Sequence, residues 1–175
     1  FFVLEARDHA VRRGASVLAE ICGYGTTLDG HRMTAPSPGG RWPERAVLSA
    51  LKEAGKSPEG IDLISAHGTG TPLNDDMEAK LIHRLYAKRP PTVTALKSWV
   101  GHTAAACGAV ELAILLACVQ ADYIPEIRNL VRPCHGGIRF AREPLTGSPS
   151  WVVIQNFGFG GQNSALVLRP EKAHD

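Results

Sequence analysis

Three short segments carry residue types that could do chemistry, and each follows a predicted β-strand. Residues 67–72 read HGTGTP, residues 97–103 read KSWVGHT and residues 156–163 read NFGFGGQN. Because ligand sites in α/β proteins lie at the carboxyl ends of parallel strands, we expect the three segments to meet there. A capped strand-to-helix turn with an incidental histidine explains the first segment equally well. Only the co-occurrence of all three favours a functional site.

Lys97 and Glu111 are the charged residues that most need a partner. Lys97 directly follows a predicted buried strand, and Glu111 lies in the middle of a predicted apolar helix, so we predict that they pair. His102 falls in the predicted first turn of that helix, where the positive dipole end favours a neutral imidazole. A neutral imidazole can donate an N–H to a developing oxyanion. A purely structural Lys–Glu pair with a capping histidine is the alternative.

Composition excludes several classes of function. Nineteen Lys and Arg against 17 Asp and Glu give a formal net charge of +2, and no dense basic run indicates a nucleic-acid partner. With 44% hydrophobic and 21% charged residues, the chain has the composition of a soluble globular protein. The most apolar stretch, residues 104–119, is interrupted by Glu111 and is shorter than the roughly 20 residues of a membrane span. We expect a cytoplasmic location.

The cysteines and the first residues add two expectations. The four cysteines, at positions 22, 107, 118 and 134, include no C-x-x-C pair, so we expect reduced, structural thiols. A metal site built on His67 and His102 is disfavoured, because no H-x-x-x-H, C-x-x-C or second carboxylate accompanies them. The chain opens with FFVLE, which indicates a piece of something longer. We therefore predict that residues 1–4 are the last strand of a preceding unit.

The spacing of apolar residues, glycines and prolines predicts alternating strands and helices. From residue 15 the order is β-α-β-α-β-α-β-β, which favours a parallel, helix-covered α/β sheet that ends in an antiparallel pair. Thr71 should cap the helix that Pro72 starts, with Leu73 on its apolar stripe. The predicted strands cover residues 1–4, 15–24, 61–66, 91–95, 151–155 and 164–168, and the predicted helices cover residues 8–13, 43–54, 72–86 and 101–121.

Taken together, HGTGTP, K-S-x-x-G-H at residues 97–102 and NFGFGG at residues 156–161 resemble the C-terminal half of β-ketoacyl-ACP synthases, the condensing enzymes of fatty-acid and polyketide synthesis. The resemblance covers essentially the whole chain, including Glu111. It implies the thiolase-like fold, in which two β-α-β-α-β-α-β-β units stack as five layers (αβαβα). Residues 1–175 would then be one such unit, the C-terminal domain of the synthase.

The resemblance also implies the catalytic roles. His67 and His102 match the two histidines that polarise the malonyl thioester carbonyl and stabilise the enolate. Lys97 matches the lysine that holds this network together, and Glu111 matches its acidic structural support. No metal is implied.

Further positions resemble residues that bind the substrate. Thr69 and Thr71 match threonines that hydrogen-bond the pantetheine arm. Phe159 matches a gate residue whose backbone N–H helps to form an oxyanion hole, and Phe157 and Gly160 belong to the same segment.

The implied reaction is a decarboxylative Claisen condensation of an acyl thioester with malonyl-ACP. The family's cysteine nucleophile lies in a Thr-Ala-Cys-Ser-type turn of the other half, and none of the four cysteines has that context. We therefore expect the isolated chain to be inactive in condensation, poorly soluble or tightly associated, and dependent on an N-terminal half in the same or a separate chain.

The implied partners are acyl carrier protein, whose 4′-phosphopantetheine carries the substrates, and a second copy in a dimer of the complete synthase. No cofactor is implied. A chain-length-factor-like subunit or a scaffold module is the alternative, although such proteins have less need of His67, His102 and Lys97.

Overall fold

The computed structural model describes residues 1–172. The helices are α1 (Arg7–Arg12), α2 (Arg41–Glu53), α3 (Pro72–Tyr86), α4 (Lys97–Val100) and α5 (Cys107–Gln120). The strands are β1 (Ala19–Leu28), β2 (Leu63–Ser65), β3 (Thr92–Thr94), β4 (Tyr123–Ile124), β5 (Arg139–Phe140), β6 (Leu145–Thr146), β7 (Val152–Phe157) and β8 (Gln162–Pro170).

Six strands form a mixed sheet in the order β1-β8-β7-β2-β3-β5, and β4 pairs with β6 separately. Strand β2 runs parallel to β3 and β7, whereas β8 runs antiparallel to β7 and β1. The predicted order and the closing antiparallel hairpin are confirmed. The short strands β5 and β6 lie in a segment predicted as mostly loop, and β4 follows the predicted end of the last helix, where no element was predicted. Because β2, β3 and β7 are parallel, their carboxyl ends lie at one edge of the sheet.

Two hydrophobic cores cover the two faces of the sheet. Helices α2 and α3 pack on one face through a cluster that includes Leu51, Leu81 and Val153. On the other face, Leu115 of α5 packs against Val152 of β7 and its neighbours. Both faces of β7 are thus buried, which explains its nearly continuous apolar sequence.

Residues 1–4 are exposed and pair with no strand of the described residues, so their assignment to the last strand of a preceding unit stays a prediction. Another predicted strand has different bounds. The strand predicted at residues 15–24 begins at Ala19 and ends at Leu28, so that Gly23 and Gly25 lie inside it. A Cβ atom added to Gly23 would lie 2.1 Å from the carbonyl oxygen of Ala50. One added to Gly25 would lie 2.0 Å from the carbonyl oxygen of Ala46. These glycines do not end the strand. They allow the backbone of α2 to pack directly against it.

The helix predicted over residues 101–121 begins only at Cys107. Gly101 and Ala104 have φ angles of 74° and 51°, and this left-handed backbone keeps residues 101–104 out of the helix. His102 therefore lies five residues before α5, and its predicted position in the first turn of the helix is wrong.

Only one side of α5 is covered by the described residues. Glu111 and Leu115 are buried, whereas Ala109, Ala113 and Ala117 are exposed on the opposite side. The poor solubility expected of the isolated chain stays a prediction.

Helix α3 has the predicted bounds, and one residue of its predicted apolar stripe lies outside the buried face. Leu73 is 67% exposed, whereas Met77, Glu78 and Leu81 are buried. Thr71 occupies the N-cap position without a capping side-chain hydrogen bond.

Candidate active site

His67, Lys97 and His102 converge at the carboxyl edge of the sheet. His67 lies two residues after the end of β2, and Lys97 opens α4 three residues after the end of β3. The Nζ atom of Lys97 lies 3.2 Å from Nδ1 of His67. The rings of His67 and His102 are nearly perpendicular, with their centroids 5.7 Å apart. His67 and Lys97 are buried and His102 is exposed, so the cluster has one accessible side.

Lys97 and Glu111 form the pair that the sequence predicts. Nζ of Lys97 donates to Oε1 of Glu111 at 2.5 Å, and the two side chains are only 3% and 1% exposed. Burial raises the pKa of Glu111, and the neighbouring ammonium group opposes that rise. Since neither charge can reach water, each depends on the other.

His67 is an uncharged ring at neutral pH. Burial, and then the positive charge of Lys97, lower its pKa to about 3. Because an ammonium group can only donate, Lys97 requires a bare Nδ1 and leaves the ring proton on Nε2. The side chain of Phe157 packs against the imidazole ring of His67 at a centroid distance of 5.8 Å and shields that side of the ring from water.

The tautomer of His102 is set by a backbone group. The N–H of Ala104 donates to Nδ1 of His102 at 3.0 Å. A neutral ring in this arrangement carries its proton on Nε2. Both rings thus have Nδ1 engaged by a neighbouring group, which leaves Nε2 of each ring as the nitrogen that can donate to a ligand.

Glu78 is a functional residue that the sequence reasoning missed. Its Oε1 accepts the backbone N–H of His67 at 2.7 Å and Nε2 of Gln155 at 2.7 Å. Its Oε2 accepts the backbone N–H of Gly68 at 2.8 Å and Nδ2 of Asn74 at 3.2 Å. Burial raises the pKa of this carboxyl, and the N–H donors oppose the rise. Glu78 thus anchors the backbone that presents His67.

We expect Glu78→Ala to lower the free energy of unfolding by about 3 kcal/mol, because the N–H groups of His67 and Gly68 would lose their acceptor. Asp76→Ala on the same helix removes only an exposed contact to Lys80 and should cost less than about 0.5 kcal/mol. Denaturant unfolding measures both. Equal losses for the two variants would show that Glu78 does not anchor the backbone at His67.

The pH dependence of stability provides a second test. The folded-state pKa of His67 lies well below its ordinary value of 6.5. The unfolded chain therefore binds a proton below that value when the folded chain does not, and stability falls as the pH drops. We expect His67 to contribute a loss of about 1.4 kcal/mol per pH unit between pH 6 and pH 4. Unfolding of His67→Gln should show a slope smaller by that amount, and an unchanged slope would contradict a buried, neutral ring.

The two threonines lie on the exposed side of the site. Their Oγ1 atoms are 2.8 Å apart, so the hydroxyl of Thr71 bonds Thr69. Thr69 also lines a cavity of about 480 Å³ beside the cluster, together with Lys97, Ser98 and His102. Arg128 and Arg132 also line this cavity.

The glycine-rich segment divides its two aromatic residues. Phe157 is the buried last residue of β7, whereas Phe159 is 77% exposed in a short 3-10 turn. Gly160 has a φ of 79°, and its N–H donates to the carbonyl of Met33 at 2.7 Å. This bond ties the turn to the loop that follows β1.

Disulfide bonds, metal sites and membrane-spanning helices were each sought among the described residues. All four cysteines are free thiols. Among residues 1–172, no three His, Cys, Asp or Glu side chains are grouped as a metal ion would require. None of the helices formed by these residues has the length and apolar character needed to cross a membrane.

Comparison with known proteins defines the class. Residues 18–131 match the family model described as "Beta-ketoacyl synthase, C-terminal domain". The 3-oxoacyl-[acyl-carrier-protein] synthase 2 of Mycobacterium leprae is 39% identical over 168 residues, which are 95% of this chain and 40% of that protein. The chain thus spans about two fifths of the length of the curated relatives that it matches.

Solved structures agree with this class. A β-ketoacyl synthase from Burkholderia phymatum superimposes with a TM-score of 0.89 at 33% identity, covering 96% of this chain and 41% of that chain. The AntDE ketosynthase, solved with its type II polyketide acyl carrier protein AntF, gives a TM-score of 0.87 at 28% identity over 96% of this chain and 42% of that one. This chain belongs to the family of β-ketoacyl synthase C-terminal domains and has the thiolase-like fold that its motifs predicted.

Proposed function

We propose that this chain is the C-terminal part of a 3-oxoacyl-ACP synthase and supplies the site at which the malonyl thioester is decarboxylated. The observation that supports this most strongly is the meeting of His67 and His102 as two rings whose Nδ1 atoms are both engaged, beside a buried Lys97. Each ring then has one Nε2–H left for a substrate.

In the proposed step, the bond between C2 and the free carboxylate of the malonyl thioester breaks and CO₂ leaves. The electron pair passes into an enolate whose charge lies on the thioester oxygen. His67 and His102 donate to that oxygen, and the burial of His67 strengthens its hydrogen bond. Lys97 touches no substrate atom in this scheme, because it holds Nδ1 of His67.

The enolate carbon then attacks an acyl thioester, which forms the new C–C bond and releases the enzyme's thiolate. We assign that acyl group to a cysteine of an N-terminal half, in the same chain or another. Cys107 faces Asn156, and the remaining three cysteines lie outside the cluster's hydrogen bonds. Thr69 and Thr71 are proposed to bind the pantetheine arm of an acyl carrier protein, while Phe159 gates the entrance beside Phe157 and Gly160. We also propose that the complete synthase is a dimer and needs no other cofactor.

The test compares the full-length protein that contains this sequence with residues 1–175 alone. With acyl-ACP and malonyl-ACP, the full-length protein should form 3-oxoacyl-ACP and CO₂ in equal amounts, and residues 1–175 should form no 3-oxoacyl-ACP. Failure of the full-length protein to release CO₂ from malonyl-ACP would overturn the proposal.

A further inference from the structure

Asn156 contacts both His67 and Cys107 through the oxygen of its side-chain amide. Residues alternate along β7, so that Gln155 faces Glu78 of α3 while Asn156 faces α5. Oδ1 of Asn156 lies 3.2 Å from Nδ1 of His67 and accepts the thiol of Cys107 at 3.3 Å. Its amide also lowers the pKa of Glu111, against the rise that burial causes. Asn156 therefore belongs to the cluster, although its motif assigns it no role.

The contacts on both ends of the amide determine which end faces His67. An ionised Glu111 only accepts hydrogen bonds, so it favours the Nδ2 end of Asn156. The thiol of Cys107 donates to Oδ1. Turning the amide over would bring Oδ1 towards the carboxylate and leave the thiol without this acceptor. Oδ1 is thus held beside Nδ1 of His67.

Nδ1 of His67 consequently has two neighbours with opposite requirements. Nζ of Lys97, 3.2 Å away, needs a bare nitrogen, whereas Oδ1 of Asn156, also 3.2 Å away, favours an N–H. A charge-assisted hydrogen bond is about twice as strong as a neutral one, so Lys97 prevails and the proton stays on Nε2. Because the competing oxygen carries no net charge, it stabilises an imidazolium only weakly.

The charged and titratable groups around His67 also favour the uncharged form of its ring. Lys97 of α4 and His102 of the segment before α5 both disfavour an imidazolium. Glu111 of α5 is paired with Lys97, and Glu78 of α3 binds the backbone N–H of His67. Among the described residues, no carboxylate oxygen lies within hydrogen-bonding distance of the ring.

We propose that an uncharged group at position 156 is required for His67 to remain a neutral Nε2–H donor: Asn156 places an oxygen without net charge beside Nδ1, so that Lys97 decides where the ring proton lies. A carboxylate at position 156 would be nearly identical in shape but would stabilise the imidazolium instead. The inference rests on the proposed function only for the use made of the Nε2 proton.

The experiment is ¹⁵N NMR of histidine-labelled full-length protein, with the His67 signals assigned through His67→Gln. In the wild type, we expect His67 to show one bare and one protonated nitrogen, with the proton on Nε2, throughout pH 5 to 7. Asn156→Asp should raise the titration midpoint of His67 by about 2 pH units, so that the signal of the bare nitrogen is lost near pH 5. Gln162→Glu is the matched control, because it adds the same charge to an exposed position of the same hairpin and should leave His67 unchanged.

Asn156→Ala gives an independent test if the aspartate variant fails to fold. Its ring proton should remain on Nε2, since Lys97 is still present. The proposal is overturned if the proton lies on Nδ1 in the wild type, if it moves there in Asn156→Ala, or if a folded Asn156→Asp keeps the wild-type signals at pH 5. None of these readouts needs activity. A neutral His67 in a protein that does not decarboxylate malonyl-ACP would therefore contradict the proposed function and leave the proposal about position 156 intact.

Discussion

Lys97→Met is expected to lower the free energy of unfolding by about 4 kcal/mol, because it leaves the carboxylate of Glu111 buried without its counter-charge. The same change removes the donor on Nδ1 of His67 and should abolish decarboxylation of malonyl-ACP. Denaturant unfolding and CO₂ release from the full-length protein measure the two effects.

The double variant Lys97→Met/Glu111→Leu separates stability from chemistry. With both charges gone, an apolar pair of similar volume should restore stability to within about 1 kcal/mol of the wild type. Decarboxylation should stay lost, because His67 still lacks the donor that sets its tautomer. A double variant as unstable as Lys97→Met would show that the pair is not the source of the loss. Recovered decarboxylation would show that Lys97 has no part in the chemistry.

His67→Ala and His102→Ala are each expected to slow malonyl-ACP decarboxylation by a factor of about 10² to 10³, since each removes one hydrogen-bond donor from the enolate oxygen. The loss should fall mainly on kcat, because the donors act on charge that develops in the transition state. Removing both should cost less than the product of the single losses, because the two donors act as a unit.

His9→Ala is the control for the histidine variants, since His9 lies on α1 and contacts only Glu5 among the hydrogen-bonding side chains described. It should keep the wild-type rate. Retention of more than a tenth of that rate by either active-site variant would contradict the two-donor arrangement.

The placement of the chemistry could be read from the sequence because it depends on strong local rules. A lysine after a buried strand and a glutamate in an apolar helix each need a counter-charge, and Lys97 and Glu111 satisfy one another. The motif segments follow β2, β3 and β7, and parallel pairing brings their ends to one edge. The hydrogen bonds of His67 and His102 depend on neither rule.

The missed features depend on tertiary packing. Glu78 is indistinguishable in sequence from an exposed acidic residue at a helix start, and its role follows from the packing of α3 against Gln155 of β7 and the turn after β2. The late start of α5 follows from the left-handed backbone at Ala104. An alanine-rich segment favours a helix and therefore does not predict this conformation. The sequence pattern places Gly23 and Gly25 at the end of a strand, because it contains no sign of the close approach of α2.

The most direct measurement is a crystal structure of the full-length protein with a malonyl thioester analogue that cannot lose CO₂. We predict that the thioester oxygen lies within hydrogen-bonding distance of Nε2 of both His67 and His102, with Lys97 still on Nδ1 of His67. An analogue bound with that oxygen away from both rings would contradict the account.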